Sequence, residues 1–300
     1  MLKRPNYLQS GDQVIIIAPA GRIKENGLER AIVELKQWGL EVHVSKHALV
    51  GHHYFSSTDE NRLTDLQEAF DSTEYKAIFC ARGGYGITRI IDQVDFSLLK
   101  KSPKWIVGFS DVTALQIALA NHSIMSIHSL MPTGFESADP ESVDLLRKLL
   151  FGENVSIEAR PNIYNRNGVA VAPIIGGNLS LLSASLGTKY EVVTDGKILF
   201  IEEIDEYLYK IDRMLGQLNR SGKLDNLKGL VIGHMSAMKD TVVPFGVGVE
   251  ELILGHVTQF DYPVLFDVAL GHEPLNLPII QGCKYQLEIT EKRGSLIPLD

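Results

Sequence analysis

An α/β fold with a mainly parallel sheet, followed by a second domain, is predicted by three features of the sequence. The apolar runs of the first half are short and unbroken, as in strands covered on both faces. Segments with apolar residues at helical spacing separate them. Turn-rich sequence between about Gly152 and Val169 then interrupts the alternation.

Val14–Ala18 is the first strand, and Leu28, Ile32, Leu35 and Trp38 mark a helix that Gly39 ends. Val42–Val44 is a strand, Leu63–Phe70 a helix and Ala77–Cys80 a strand. Ile106–Val107 runs into Gly108, Asp111–Ala120 has helical periodicity and Ile124–Ile127 is strand-like. Strands joined by helices of this length imply right-handed βαβ crossovers. Arg160-Pro161-Asn162 and Asn165-Arg166-Asn167-Gly168 read as the connection to a second domain. Beyond it Gly176-Gly177-Asn178 opens a helix, Ile198–Ile201 is a strand and Tyr207–Leu218 an amphipathic helix. Leu230–Ile232 and Val264–Phe266 are further strands.

The chain of 300 residues, with 45% apolar and 22% charged residues, has the balance of a globular protein that needs no disulfide or metal to fold. Its 29 basic against 37 acidic residues leave a net charge of −8, which argues against a general nucleic-acid binder. Two distant cysteines, Cys80 and Cys283, give no disulfide framework and fit a reducing compartment. Lys3 and Arg4 precede an apolar run and Ala18-Pro19-Ala20, but the run is shorter than the ~7 residues a secretion signal needs. No stretch approaches the ~20 apolar residues of a membrane span, so a cytoplasmic protein is expected.

Gly108-Phe109-Ser110-Asp111 carries the sharpest chemical signal, because a strand runs into Gly-x-Ser and a helix starts at once. Such a turn can present the serine hydroxyl at the sheet edge, with helix-start N–H groups, that of Asp111 included, placed to stabilise an oxyanion. The second glycine of a nucleophile elbow is replaced by Val112, and capping of the helix by Ser110 or Asp111 is the competing reading. Arg82-Gly83-Gly84-Tyr85-Gly86 follows the third strand. It can be an anion cradle, a second oxyanion donor or a tight turn, and it matches no nucleotide-binding pattern. A hydrolytic serine also needs a base and an acid that orients it. His43, His47, His52 and His53 lie near an early strand or in a polar loop, and His128 and His234 follow strands. His272 lies in a Gly-His-Glu-Pro turn, and Glu202-Glu203 ends the strand Ile198–Ile201. No metal-ligand spacing is present, and only the His52-His53 pair invites the idea.

Together these pieces resemble the serine LD-carboxypeptidase family, which includes the microcin C self-immunity peptidases. The likeness runs from Gly11-Asp12-Gln13-Val14-Ile15 and Ala18-Pro19 through Arg82–Gly86, Gly108–Asp111 and Gly176-Gly177-Asn178-Leu179. It continues through Ile201-Glu202-Glu203 and Asp212-Arg213-Met214-Leu215 to Gly271-His272 with Pro278. His128-Ser129-Leu130 stands where many members read His-Gly-Pro, and Gly282 falls later than in the common pattern. The resemblance implies a flavodoxin-like N-terminal domain with a parallel sheet (1–155), a linker (156–169) and a smaller β-rich C-terminal domain (170–300), with the site between the domains.

It further implies a triad of Ser110 as nucleophile, His272 as general base and Glu202 as orienting acid, with Glu203 the lesser candidate. The oxyanion hole maps onto the N–H of Asp111 and onto Gly84, and Arg82, Gly83 and Tyr85 onto substrate contacts. Family members are dimeric and need no cofactor or metal, so a homodimer is expected, with no nucleic-acid or membrane partner. The implied reaction is hydrolysis of the L,D-peptide bond to the terminal D-Ala of murein tetrapeptides, a cytoplasmic cell-wall recycling step. A microcin-immunity-type peptidase acting on aminoacyl-adenylate analogues is the near rival, and a chain of 300 residues favours the shorter murein branch. The distant rival is a two-domain anion-binding protein without catalysis.

Overall fold

The apolar runs of the first half become the strands of one sheet in a computed structural model, which describes residues 2–299. The chain forms two units, Met1–Asn154 with Pro274–Gln281, and Val155–Glu273 with Gly282–Asp300. In chain order the first unit holds β1 (Gln13–Ile17), α1 (Glu29–Gln37), β2 (Glu41–Val44), α2 (Asp59–Asp71), β3 (Tyr75–Cys80) and α3 (Ser97–Lys101). β4 (Trp105–Gly108), α4 (Thr113–Asn121), β5 (Ser126–His128) and α5 (Pro140–Leu150) follow. The second unit holds β6 (Ile157–Ala159), β7 (Gly168–Asn178), α6 (Leu179–Ala184), β8 (Ile198–Ile204), α7 (Leu208–Arg220), β9 (Gly229–Ser236), α8 (Val249–His256) and β10 (Val264–Leu265). The chain then supplies β11 (Ile279–Gln281) to the first unit and β12 (Lys284–Ile289) and β13 (Gly294–Pro298) to the second.

The first sheet has the order β11-β5-β4-β3-β1-β2 and is parallel except for β11. Val14, Ile16 and Ile17 of β1, Ile78 and Phe79 of β3 and Ile106 and Val107 of β4 are fully buried, which is why these strands read as unbroken apolar runs. The order β2-β1-β3-β4-β5 is that of flavodoxin-like sheets, with its switch point between β1 and β3, where the connections leave a crevice at the strands' carboxyl ends. Helix starts are set locally. Thr58 caps α2 by accepting from the Asn61 N–H at 3.2 Å, and Asp139 caps α5 ahead of Pro140. On α4 the buried Gln116 donates to the carbonyls of Gly108 and Ile127, each at 2.9 Å, tying β4 and β5 to the helix behind them.

The second sheet is mixed, with the order β10-β9-β8-β7-β12-β13-β6. β7 changes partner along its length, running antiparallel to β12 over residues 168–173 and parallel to β8 over residues 174–178. At Gly176 a Cβ would lie 1.9 Å from the Phe200 carbonyl oxygen, so only glycine fits where the strands meet. Ile211, Leu215 and Leu218 bury one face of α7, at the i, i+4, i+7 spacing of an amphipathic helix.

Three expectations change. Residues 156–169, read as a linker, include β6, which pairs with β13 through Ile157, Glu158 and Ala159. Residues 274–281, expected in the C-terminal domain, belong to the first unit, because β11 completes the edge of β5 and Gln281 donates to Gln116 at 2.9 Å. Gly176-Gly177-Asn178 closes a strand, and the helix starts at Leu179 with the Asn178 side chain accepting from the Leu181 N–H at 3.3 Å.

Candidate active site

Ser110 sits on a strained turn. β4 ends at Gly108, Phe109 is extended, and Ser110 has φ +62 at the head of a 3-10 turn that leads into α4. The left-handed region costs a non-glycine residue about 1–2 kcal/mol, so the surroundings must hold it there. At Gly108 a Cβ would come within 2.9 Å of Val112, so a side chain at 108 and the valine in place of the second elbow glycine exclude one another. The capping reading fails, because no side chain caps the 3-10 turn or α4. The buried Asp111 carboxylate instead accepts from the Ile87 N–H at 2.9 Å, just beyond the glycine loop. Burial raises the Asp111 pKa, against the pull of that N–H, the Arg62 charge and the Gly86 N–H.

The loop Arg82–Gly86 reaches Ser110 through Gly83. A Cβ on Gly83 would lie 2.9 Å from the Ser110 Cβ, 3.0 Å from its Oγ and 3.2 Å from the Asp111 nitrogen. Gly84 is exposed and has φ +99, and Tyr85 is half exposed with its ring 6.0 Å from that of Phe55. Arg82 is exposed and donates from Nη1 to the Arg22 carbonyl at 2.5 Å. Gly83, expected among the substrate contacts, packs directly on the serine, and three glycines in four positions are the signal in the sequence for so close an approach.

In the second unit Glu202, at the end of β8, is fully buried, and its Oε2 lies 2.7 Å from Nδ1 of His272. Burial pushes the Glu202 pKa up, while the His272 hydrogen bond and charge pull it down. An ionised Glu202 takes the Nδ1–H of a neutral imidazole, which makes Nε2 the basic nitrogen. Glycine shapes this pair too. A Cβ on Gly271, at φ +129, would stand 3.0 Å from Glu202 Oε2, and one on Gly233 would stand 3.1 Å from the Glu202 Cβ. Glu203 does different work. It accepts from Asn178 Nδ2 at 2.7 Å, the Ser180 N–H at 2.8 Å, the Ser180 hydroxyl at 2.6 Å and the Ile204 N–H at 2.9 Å, which anchors the start of α6.

Other histidines also meet acids. His47 Nδ1 is 2.7 Å from Asp65 and His256 Nε2 is 2.8 Å from Asp212. The Asp212 side chain is 48% exposed and the Asp65 side chain 5%, whereas that of Glu202 is wholly buried. Asp65 is also shared with the Ser45 hydroxyl and the His47 N–H, as in a loop anchor. His52 and His53 touch each other edge to face, and no group of three metal-ligating side chains occurs among the described residues.

Comparison with known proteins also divides the chain in two, but keeps residues 274–281 with the C-terminal part. Residues 14–129 match the LD-carboxypeptidase N-terminal domain and residues 171–287 the LD-carboxypeptidase C-terminal domain. A probable murein peptide carboxypeptidase of Bacillus subtilis (strain 168) is 35% identical over 296 residues, covering 96% of this chain and 92% of the relative. The crystal structure of muramoyltetrapeptide carboxypeptidase from Oxalobacter formigenes is similar at a TM-score of 0.87 and 29% identity, covering 96% of this chain and 99% of that one. An MccF-like protein from Bacillus anthracis is similar at 0.87 and 25% identity, with 99% of each chain covered. With both of its domains matched and relatives similar over nearly their whole length, this chain belongs to the LD-carboxypeptidase family.

Proposed function

We propose that this protein is a serine-type LD-carboxypeptidase that removes the terminal D-Ala of murein tetrapeptides, with Ser110, His272 and Glu202 acting as one triad. The buried Glu202–His272 pair is the observation that carries the reading, since an acid desolvated against an imidazole is what a general base requires. Full-length relatives named for murein peptides supply the substrate class.

In this mechanism Ser110 Oγ attacks the carbonyl of the L-centre as its proton passes to Nε2 of His272. The tetrahedral oxyanion is held by the Asp111 N–H and by an N–H of the glycine loop at Gly84. Collapse breaks the C–N bond, His272 protonates the departing D-Ala amine, and water then hydrolyses the acyl-enzyme by the reverse proton path. Glu202 keeps the imidazole in its working tautomer and stabilises its charged form. Arg82, Gly83 and Tyr85 contact the substrate at the same loop. The nucleophile thus lies in an N-terminal domain and the base and acid in a C-terminal one, and the reaction is a cytoplasmic recycling step performed by a homodimer.

Incubating the protein with murein tetrapeptides and following the products by mass spectrometry tests this. Loss of one D-Ala, abolished in Ser110→Ala, is expected. Cleavage of an aminoacyl-adenylate analogue with no action on tetrapeptide would support the second reading, which the likeness to the MccF-like protein favours.

A further inference from the structure

Arg62 lies in the first turns of α2, yet its side chain is only 1% exposed. A buried guanidinium is costly unless its donors are met; both terminal nitrogens of Arg62 find partners, while its Nε finds none. Nη1 donates to the carbonyls of Pro19 and Gly86, the latter at 2.9 Å, and Nη2 pairs with Asp59. Asp59 in turn holds Arg89 at 2.6 Å, and the two guanidinium carbons lie 4.9 and 5.3 Å from the centre of the Phe55 ring. Gly86 makes the approach possible, since a Cβ there would stand 2.8 Å from Nη1.

These contacts bear on the glycine loop from one side of Gly83 and Gly84. Immediately after the Gly86 carbonyl clamped by Arg62, the Ile87 N–H is taken by the Asp111 carboxylate at 2.9 Å. On the other side the Gly21 N–H donates to the Gly83 carbonyl at 3.1 Å, and Pro19, the second Arg62 acceptor, precedes Gly21 by two residues. One guanidinium therefore joins the two connections that flank the sheet's switch point, and Gly83 between those anchors packs on Ser110.

We infer that Arg62 is a positioning residue for catalysis. By clamping the Pro19 and Gly86 carbonyls it sets the glycine loop where a loop N–H can hold the oxyanion formed at Ser110. The inference rests on Ser110 being the nucleophile, as proposed above. An oxyanion donor is worth roughly 100–1000-fold in rate, and a misplacement of about 1 Å can cost about 100-fold. Loosening the loop therefore lowers kcat far more than it raises KM, because a misplaced donor is felt in the transition state, while the loop's substrate contacts are only slightly weakened.

The test compares wild type, Ser110→Ala, Arg62→Lys and Arg62→Met. The first assay is reaction with a fluorophosphonate, in which the serine oxygen bonds to phosphorus and fluoride leaves, so no murein substrate is needed. Wild type is expected to label at Ser110 and Ser110→Ala not to label. Arg62→Met should label about 10–100-fold more slowly, with a matching fall in kcat on the L,D-peptide and KM within about twofold. Arg62→Lys should fall between the two, as one ammonium cannot reproduce the fork. Thermal melts confirm folding, and if Arg62→Met does not fold, Asp59→Asn carries the same expectation at smaller size. Wild-type labelling and kcat in a folded variant, or a raised KM at full kcat, would overturn the positioning role. Failure of wild type to label at Ser110 would overturn the nucleophile assignment instead, and the inference with it.

Discussion

Turning Glu202 into glutamine separates the catalytic role proposed for it from its structural cost. Nδ1 of His272 is 2.7 Å from Glu202 Oε2, and the carboxylate is wholly buried. An amide nitrogen in the Oε2 position would donate to Nδ1, drive the imidazole proton to Nε2 and leave no base for Ser110. With the amide oxygen there instead, the tautomer survives but the charge that stabilises the imidazolium is lost. In Ser–His–acid hydrolases this exchange lowers kcat roughly 10⁴-fold, about 5.5 kcal/mol of transition-state stabilisation. We expect that loss for Glu202→Gln, with KM little changed. Stability should move the other way. Burial raises the Glu202 pKa, so the folded state holds the proton more tightly than the unfolded one. The wild type's stability contribution from this group is then full below the unfolded pKa and is lost as pH rises through the folded value. A permanently neutral glutamine escapes that loss, so the variant's melting temperature should match wild type in acid and exceed it towards neutrality. The assays are steady-state release of D-Ala and thermal melts across pH. A folded variant that keeps kcat within about tenfold of wild type would refute Glu202 as the orienting acid.

Glu203→Gln should give the opposite pattern, with kcat changed less than about tenfold but stability lowered by about 2–3 kcal/mol, because charge-assisted bonds at the start of α6 are weakened; denaturant titration measures it. Gly83→Ala should lose at least about 100-fold in kcat, since the added Cβ would sit 2.9 Å from the Ser110 Cβ, and single-turnover rates read this directly. Lys104 is buried, donates to the Ala69 and Phe70 carbonyls at 2.8 and 2.6 Å, and has its pKa pushed down to about 8 by burial. The unfolded chain therefore binds more protons above pH 8, and wild-type stability should gain from this group as pH rises from about 8 towards 10. Lys104→Met should remove that gain and cost about 1–3 kcal/mol for the two abandoned carbonyls. Both cysteines are buried and burial pushes the Cys80 thiol up to about 12, so the native protein should resist a thiol reagent at pH 8 that modifies both residues in denaturant.

Features governed by near neighbours were legible. The strand cores of β1, β3, β4 and β8 stand out because strands covered on both faces must be apolar throughout. The Gly-x-Ser turn stood out because a strand-to-helix reversal leaves few other residue choices. The Glu202-Glu203 pair stood out because acids close an otherwise apolar run, and the resemblance to the family then favoured Glu202. By contrast β6 and β11, three residues each, carry no periodicity of their own, and β11 exists because β5 offers an open edge about 150 residues earlier in the chain. The first half of β7 was hidden because its valines, Val169 and Val171, are exposed and alternate with the small Ala170 and Ala172, while its pairing is supplied by β12 more than a hundred residues later.

Arg62 shows where this division falls. In sequence it is a basic residue three positions after Asp59 on a polar helix, and such a pair reads as a solvated surface contact. It is buried because the carbonyls of Pro19 and Gly86 converge on it from 43 and 24 residues away. Local covalent geometry and burial pattern make the alternation of strand and helix and the Gly-x-Ser turn legible from the residues alone, whereas the choice of Glu202 and His272 among the acids and nine histidines came from the resemblance to the family. That Glu202 meets His272 while Glu203 anchors α6, that Gly83 abuts the serine and that Arg62 grips the Pro19 and Gly86 carbonyls is visible in the folded chain alone, because each depends on groups that folding brings within reach from distant parts of the sequence.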